Sequence, residues 1–218
     1  MTTPQQIRRF VFVVLGLLLI GLIGREAFPS NQGTVHYVID AKQSKFFAHG
    51  LRGGLFWFKG HEHLIQVKEF AGEATITAGT ILPATLQVTA QAASLEETSA
   101  AFTEQQKQII NKELREIVFQ PEQYPEIKFR STAITGKPVK GGQFDAEIKG
   151  DLTLHGVTGQ ITIPAKVTVN DDTLRATGEF TIDRGDFKVN ATSAFHGLVR
   201  VRQTVRLQFD VIARRAEQ

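Results

Sequence analysis

Two imidazoles two positions apart, His61 and His63, are the sharpest chemical feature of the chain. Neutral imidazole is a good ligand for zinc, copper or nickel, and a His-x-His pair puts both rings on one side of an extended strand. Ile65 and Val67 follow at the same parity, so both rings are expected to face the interior near one end of the fold. A metal needs a third ligand, and His155 falls on the outward parity of its own segment. Three uses stay open for the pair: a metal site, a polar contact to a ligand headgroup, and a structural hydrogen bond. The Gly60-His61-Glu62-His63 segment is not the helical His-Glu-x-x-His arrangement of zinc proteases. Gln203 is the other polar candidate, because it interrupts an apolar face.

Little else in the chain matches known catalytic chemistry. There is no cysteine, which excludes disulfides and cysteine-ligated zinc or iron–sulfur centres. No nucleophile elbow, phosphate loop or dinucleotide fingerprint occurs. Arg184-Gly185-Asp186 and Asn190-Ala191-Thr192 match short motifs by letters only. Beyond residue 29 the chain carries 22 basic and 21 acidic residues, so it lacks the basic footprint of a nucleic-acid binder. The outward stripe Arg200, Arg202 and Arg206 reads as a solvated face, with anionic lipid headgroups as its other use.

The elements that must position these residues have a period of two. Phe144, Ala146, Ile148, Leu152 and Leu154 alternate with Asp145, Glu147, Lys149, Asp151 and Thr153. Ile161, Ile163, Ala165, Val167 and Val169 repeat the pattern, as do Val199, Val201, Val205, Leu207, Phe209 and Val211. Such alternation describes antiparallel strands with one buried and one wet face. Less regular strands are expected near residues 34–40, 44–58, 63–77, 84–92, 126–134 and 174–182, with a helix over 103–117 that packs through Phe102, Ile109 and Leu114. Many long strands of this kind close into a barrel or stack as a two-layer sandwich, and alternation alone does not separate the two. Sixteen Phe against two Tyr and one Trp suit a greasy interior. The small inward residues Ala146, Gly150, Ala165, Ala176 and Gly178 either leave room inside or admit large neighbours.

At the N-terminus, Arg8 and Arg9 precede the uncharged residues 10–24, and Arg25-Glu26 closes the run. A positive flank before a short apolar stretch marks an export signal or a membrane anchor. Poor cleavage sites favour an N-terminal apolar helix retained as an anchor through residues 7–24, with the domain outside the inner membrane. Residues 1–29 are therefore signal peptide or anchor, 30–33 a linker, and 34–214 the folded domain.

Four stretches resemble the YceI-like family. They are Tyr37-Val38-Ile39-Asp40 with Ser44, Tyr124-Pro125-Glu126-Ile127-Lys128-Phe129, the run from Gly150 through His155-Gly156 to Thr158, and Ile182-Asp183-Arg184-Gly185-Asp186-Phe187. The resemblance covers about residues 34–213, in the family's order and spacing. It implies an all-β fold, an eight-stranded antiparallel lipocalin-like barrel, in a periplasmic protein that binds polyisoprenoids or similar amphiphiles and has no catalytic activity. The Gly-His-x-His segment and Glu104-Gln105-Gln106-Lys107 depart from the common family pattern. On this reading a polyisoprenoid lipid or isoprenoid quinone would lie against Phe46, Phe56, Phe58, Ile65, Val67, Ile148, Leu152, Ile163, Val167, Phe180, Val205, Leu207 and Phe209. His61, His63 and Gln203 would stand near its polar end, and no cofactor is required. The alternative is a metal-binding protein or metal-dependent enzyme built on His61 and His63.

Overall fold

The computed structural model describes residues 33–54, 60–78, 80–170, 172–190, 193–194 and 199–217. The expected N-terminal helix and membrane segment, and the expected lining residues Phe56 and Phe58, lie outside them.

The strands are β1 (Thr34–Ile39), β2 (Lys45–Gly53), β3 (His63–Val67), β4 (Phe70–Thr77), β5 (Ala84–Gln91), β6 (Leu95–Glu97), β7 (Glu126–Pro138), β8 (Gln143–Leu154), β9 (Val157–Val169), β10 (Thr173–Asp183), β11 (Ser193–Ala194) and β12 (Val199–Arg215). Neighbours run β1-β4-β5-β7-β8-β9-β10-β12, and β12 pairs back onto β1 through Tyr37↔Arg215 and Ile39↔Ala213. The result is a closed antiparallel barrel of eight strands, which removes the free edges that an open sheet exposes. A sandwich is excluded.

Three of the eight staves are broken. β12 pairs with β1 at one end and with β2 further along, so β1 and β2 are halves of one stave. In the same way β3 continues into β4, and β5 into β6, with β2–β3–β6 forming the upper half of the wall. Serine hydroxyls mend two of the breaks. The Ser44 hydroxyl accepts from Ile212 N at 2.9 Å and donates to the Asp40 carbonyl at 2.7 Å. The Ser94 hydroxyl accepts from Glu69 N at 3.0 Å and donates to the Gln91 carbonyl at 2.7 Å. Each supplies bonds that the interrupted ladder would otherwise leave open.

Beyond Gln91, which pairs with Glu126, β7 does not extend alongside β6. The helix α1 (Glu104–Glu113) covers this side of the barrel. Thr103 and Gln106 form a reciprocal capping box at its start, and Leu114–Phe119 continues it as a wider π-helical turn. Ile110, Leu114 and Val118 face the interior at a spacing of four. Ile109, expected on the packing face, is 58% exposed, because the lumen-facing stripe runs through its neighbour Ile110 instead. Leu114 packs as expected, and Phe102 lies half-buried before the helix.

The family-like stretches are structural joints. His155 and Gly156 both have positive φ (51° and 74°), forming the tight β8–β9 turn, and the Tyr124 ring sits where a Gly156 side chain would be. The His155 ring lies 4.2 Å from that of Tyr124, and burial pushes its pKa down. Arg184–Phe187 is a 3₁₀ turn capped by the Asp183 carboxylate, which accepts from Gly185 N at 2.7 Å. The Arg184 guanidinium donates to the Val189 and Arg202 carbonyls at 2.7 and 3.2 Å, fastening this turn to β12.

Two inward glycines of the wall are covered by rings. Phe209 lies over Gly178 and Phe129 over Gly150, and an added Cβ at Gly178 would press on the Pro164 carbonyl oxygen and on Phe209 Cζ at 2.6 Å. Gly178→Ala is therefore expected to lower stability by about 1–3 kcal/mol. The urea midpoint at unchanged m-value measures it.

Candidate functional site

The barrel wall surrounds a partly open cavity of about 370 Å³. Among the described residues its lining is almost wholly aliphatic and aromatic, with His63, Thr85, Glu113, Arg184 and Gln208 as those of polar type. The size lies near the lower end of small-molecule pockets, roughly 300–1,000 Å³. Ala146 and Ala176 border the space, whereas Gly150 and Gly178 are occupied by the rings that cover them. Both readings of the small residues thus hold, at different positions.

Phe46, Ile65, Val67, Ile148, Leu152, Ile163, Val167, Phe180, Val205, Leu207 and Phe209 all border the cavity. Phe46 packs edge-on against Phe70 at 4.9 Å and lies 6.1 Å from Phe209, so aromatic bulk is gathered on one arc of the wall. Gln203 does not join them. Between Val201 and Val205 the β12 register against β2 shifts by two extra residues, and Gln203 falls in that irregularity, exposed and outside the lumen.

The two histidines also part company. His61 is exposed and meets the Phe102 ring edge-on at 5.4 Å, because it precedes the first paired residue of β3. His63 pairs with Gly50 and borders the cavity. Its ring stacks on Phe102 at 5.1 Å and 20°. Its Nδ1 lies 2.7 Å from Oε2 of Glu97, whose side chain is wholly buried. The other carboxylate oxygen, Oε1, accepts from Leu64 N at 3.1 Å and Ser99 N at 2.7 Å. The Glu97 N–H in turn donates to Asn111 Oδ1 at 2.8 Å, joining β6 to α1. Burial alone would raise the Glu97 pKa. The hydrogen bonds from His63, Ser99 and Leu64 outweigh it and hold the carboxyl below its ordinary value. Among the described residues no three His, Asp or Glu side chains converge as metal ligands would. His63 instead sits in a hydrogen-bonded carboxylate–imidazole pair.

Glu97 and Glu113 were not singled out from the sequence, and Arg184 entered only as part of a family-like turn. A signal existed for Glu97: it shares the inner parity of β6 with buried Leu95. Arg184 borders the cavity as a by-product of fastening its own turn.

A model of the YceI-like domain matches residues 37–213. The chain belongs to the YceI-like family. Among curated relatives, a UPF0312 protein of Pseudomonas savastanoi pv. phaseolicola is 41% identical over 71 residues, which is 31% of this chain. A UPF0312 protein of Pseudomonas syringae pv. tomato matches to the same extent. The matched stretch spans 33% of the length of these relatives. Among solved structures, Burkholderia cenocepacia BcnA superposes with a TM-score of 0.62 at 21% identity, covering 80% of this chain and 98% of that one. A polyisoprenoid-binding domain from Saccharophagus degradans, implicated in plant cell wall breakdown, gives 0.58 at 15% identity, covering 83% and 98%. These two likenesses are of fold. Among the described residues no helix is long and apolar enough to cross a membrane.

The Glu97 pair has a pH signature. A carboxyl whose folded pKa lies below its unfolded value stabilises the fold above that unfolded value and loses the contribution as pH falls through the folded one. Below its ordinary value of 4.5, the wild type should therefore lose stability more steeply than Glu97→Gln. Denaturant midpoints measured from pH 7 downward test this, and parallel profiles would contradict it.

Proposed function

We propose that this YceI-like barrel holds the apolar chain of an isoprenoid-type amphiphile, a polyisoprenoid lipid or isoprenoid quinone, and carries or sequesters it without making or breaking covalent bonds. The observation that bears most on this reading is the apolar cavity of about 370 Å³ inside the barrel wall. Each methylene moved from water into it is worth about 0.8 kcal/mol, so a few isoprene units outweigh any single polar contact. The polyisoprenoid-binding domain of Saccharophagus degradans, which shares the fold, supports the same ligand class. Residues 34–214 form the binding domain in this reading. Residues 7–24 tether it to the inner membrane on the periplasmic side, next to the lipid phase where such ligands dissolve.

Organic extraction of the chain purified from the membrane fraction of its native host, followed by mass spectrometry, tests both parts. A stoichiometric prenyl-chain compound is expected, and Ala146→Phe, which places a ring in the cavity, should remain folded and yield none. An empty extract from wild type would remove the carrier reading. Recovery of the protein only from the soluble fraction would remove the tether.

A further inference from the structure

The wall is not equally bonded all the way round. β8 and β9 pair from Gln143↔Thr168 to Leu154↔Val157, and β10 and β12 from Thr173↔Arg214 to Asp183↔Thr204. Between β9 and β10, which are both long strands, pairing runs only from Leu174↔Val169 to Thr177↔Lys166. It stops just short of Pro164. Because the β8–β9 ladder passes through Glu147↔Pro164 without a break, the N–H that proline lacks is the one that would have faced β10. Above that point, among the described residues, β9 and β10 meet as a seam without a ladder.

Along this seam Ile161 and Ile163 of β9 and Phe180 and Ile182 of β10 border the cavity. Its outer lip is exposed and uncharged, with Thr158, Gln160 and Thr162 on β9 and Thr181 on β10. Glu179, on the same outer face, is paired with Arg206 of β12 at 3.8 Å. A hydrocarbon crossing such a lip strips no charge of its water. One ring bridges the two strands. Phe187, in the 3₁₀ turn that follows β10, is 3% exposed, and its Cε1 and Cζ lie 3.2 Å from where a Gly159 Cβ would stand on β9. Hydrogen bonds fasten that turn to β12, from Arg184 to the Arg202 and Val201 carbonyls at 3.2 and 3.5 Å. Among the described residues none fastens it to β9. The ring is thus a wedge, held on the β12 side and only touching on the other.

We propose that the upper β9–β10 seam is a lateral passage through which an apolar chain enters and leaves the lumen, with the Phe187 ring as the wedge that closes it. This rests on the lumen being the site of the chain, and adds its route. Parting β8 from β9, or β10 from β12, breaks a continuous ladder of hydrogen bonds. Parting β9 from β10 above Lys166 displaces only side chains in van der Waals contact. A gate of this kind governs rates of exchange more than affinity.

The chain has no cysteine, so an introduced pair supplies the only two thiols. Continuing the register from Lys166↔Thr177 sets Thr162 opposite Thr181. Thr162→Cys/Thr181→Cys, joined by a short bifunctional maleimide, therefore staples the seam. The full chain in nanodiscs is loaded with N-phenyl-1-naphthylamine and chased with excess farnesol in a stopped-flow fluorimeter. The staple should slow release roughly tenfold or more with little change in affinity. Lys166→Cys/Thr177→Cys, which joins residues that are already paired, should leave release unchanged. Phe187→Leu, which shortens the wedge, should speed release about threefold or more. Release unaffected by the upper staple, or slowed equally by both, overturns the passage and leaves the lumen reading intact. Should the upper staple fail to close, an unchanged rate in Phe187→Leu overturns it instead. Failure of both N-phenyl-1-naphthylamine and farnesol to bind wild type overturns the passage and the lumen reading together.

Discussion

Closure of the hydrogen-bonded ring between Tyr37 and Arg215 fixes how much space the interior must have. Once eight antiparallel staves are joined, the diameter is set by strand number and stagger, and the inner side chains can only fill it or fail to. Here they fail. Rings that might have met across the lumen instead lie along the wall, with Phe129 over Gly150 and Phe209 over Gly178. An apolar space of about 370 Å³, partly open at its mouth, remains. Left unfilled, such a space denies its lining side chains van der Waals contacts on one side. An apolar space of this kind gains little from water, because its walls offer few hydrogen bonds. A hydrocarbon occupant would supply those contacts.

Polarity is kept where the ring is interrupted. The staves break at residues 40–44, 68–69 and 92–94, and Ser44 and Ser94 repair two of those breaks with their hydroxyls. Above the breaks the wall is β2–β3–β6 with α1 alongside, and there a buried carboxylate is tolerated. Glu97 is affordable because three N–H donors from three residues surround it. Its backbone N–H also reaches Asn111, so one residue connects sheet, helix and lumen-lining imidazole. Loss of Glu97 would leave Leu64 N and Ser99 N without their partner.

Much of this was legible from residue types alone. The alternation of β8 and β9 sorts inner from outer residues along their full length, since the two strands pair with each other in one unbroken register from Gln143↔Thr168 to Leu154↔Val157. Such patterns fail where backbone geometry changes. Two extra residues in β12 turn Gln203 outward, although simple counting puts it inside. The helix face is displaced by one residue, from Ile109 to Ile110, because the short amphipathic stretch offers apolar side chains on adjacent positions. Nine expected strand segments become eight staves because 34–40 and 44–58 both pair along β12, a long-range fact that no local pattern carries. The histidines illustrate the same limit. Parity places His61 and His63 together, yet pairing begins only at His63. Its partner Glu97 lies 34 residues away in sequence.

The central claim is that the wall surrounds a dry space able to accept a hydrocarbon chain. Calorimetric titration of the wild-type chain with n-alkanols of increasing length tests it most directly. Affinity should rise by about 0.8 kcal/mol per added methylene, with a negative heat-capacity change, and then level off once the space is full. Affinity independent of chain length, with no heat-capacity change, would contradict the account.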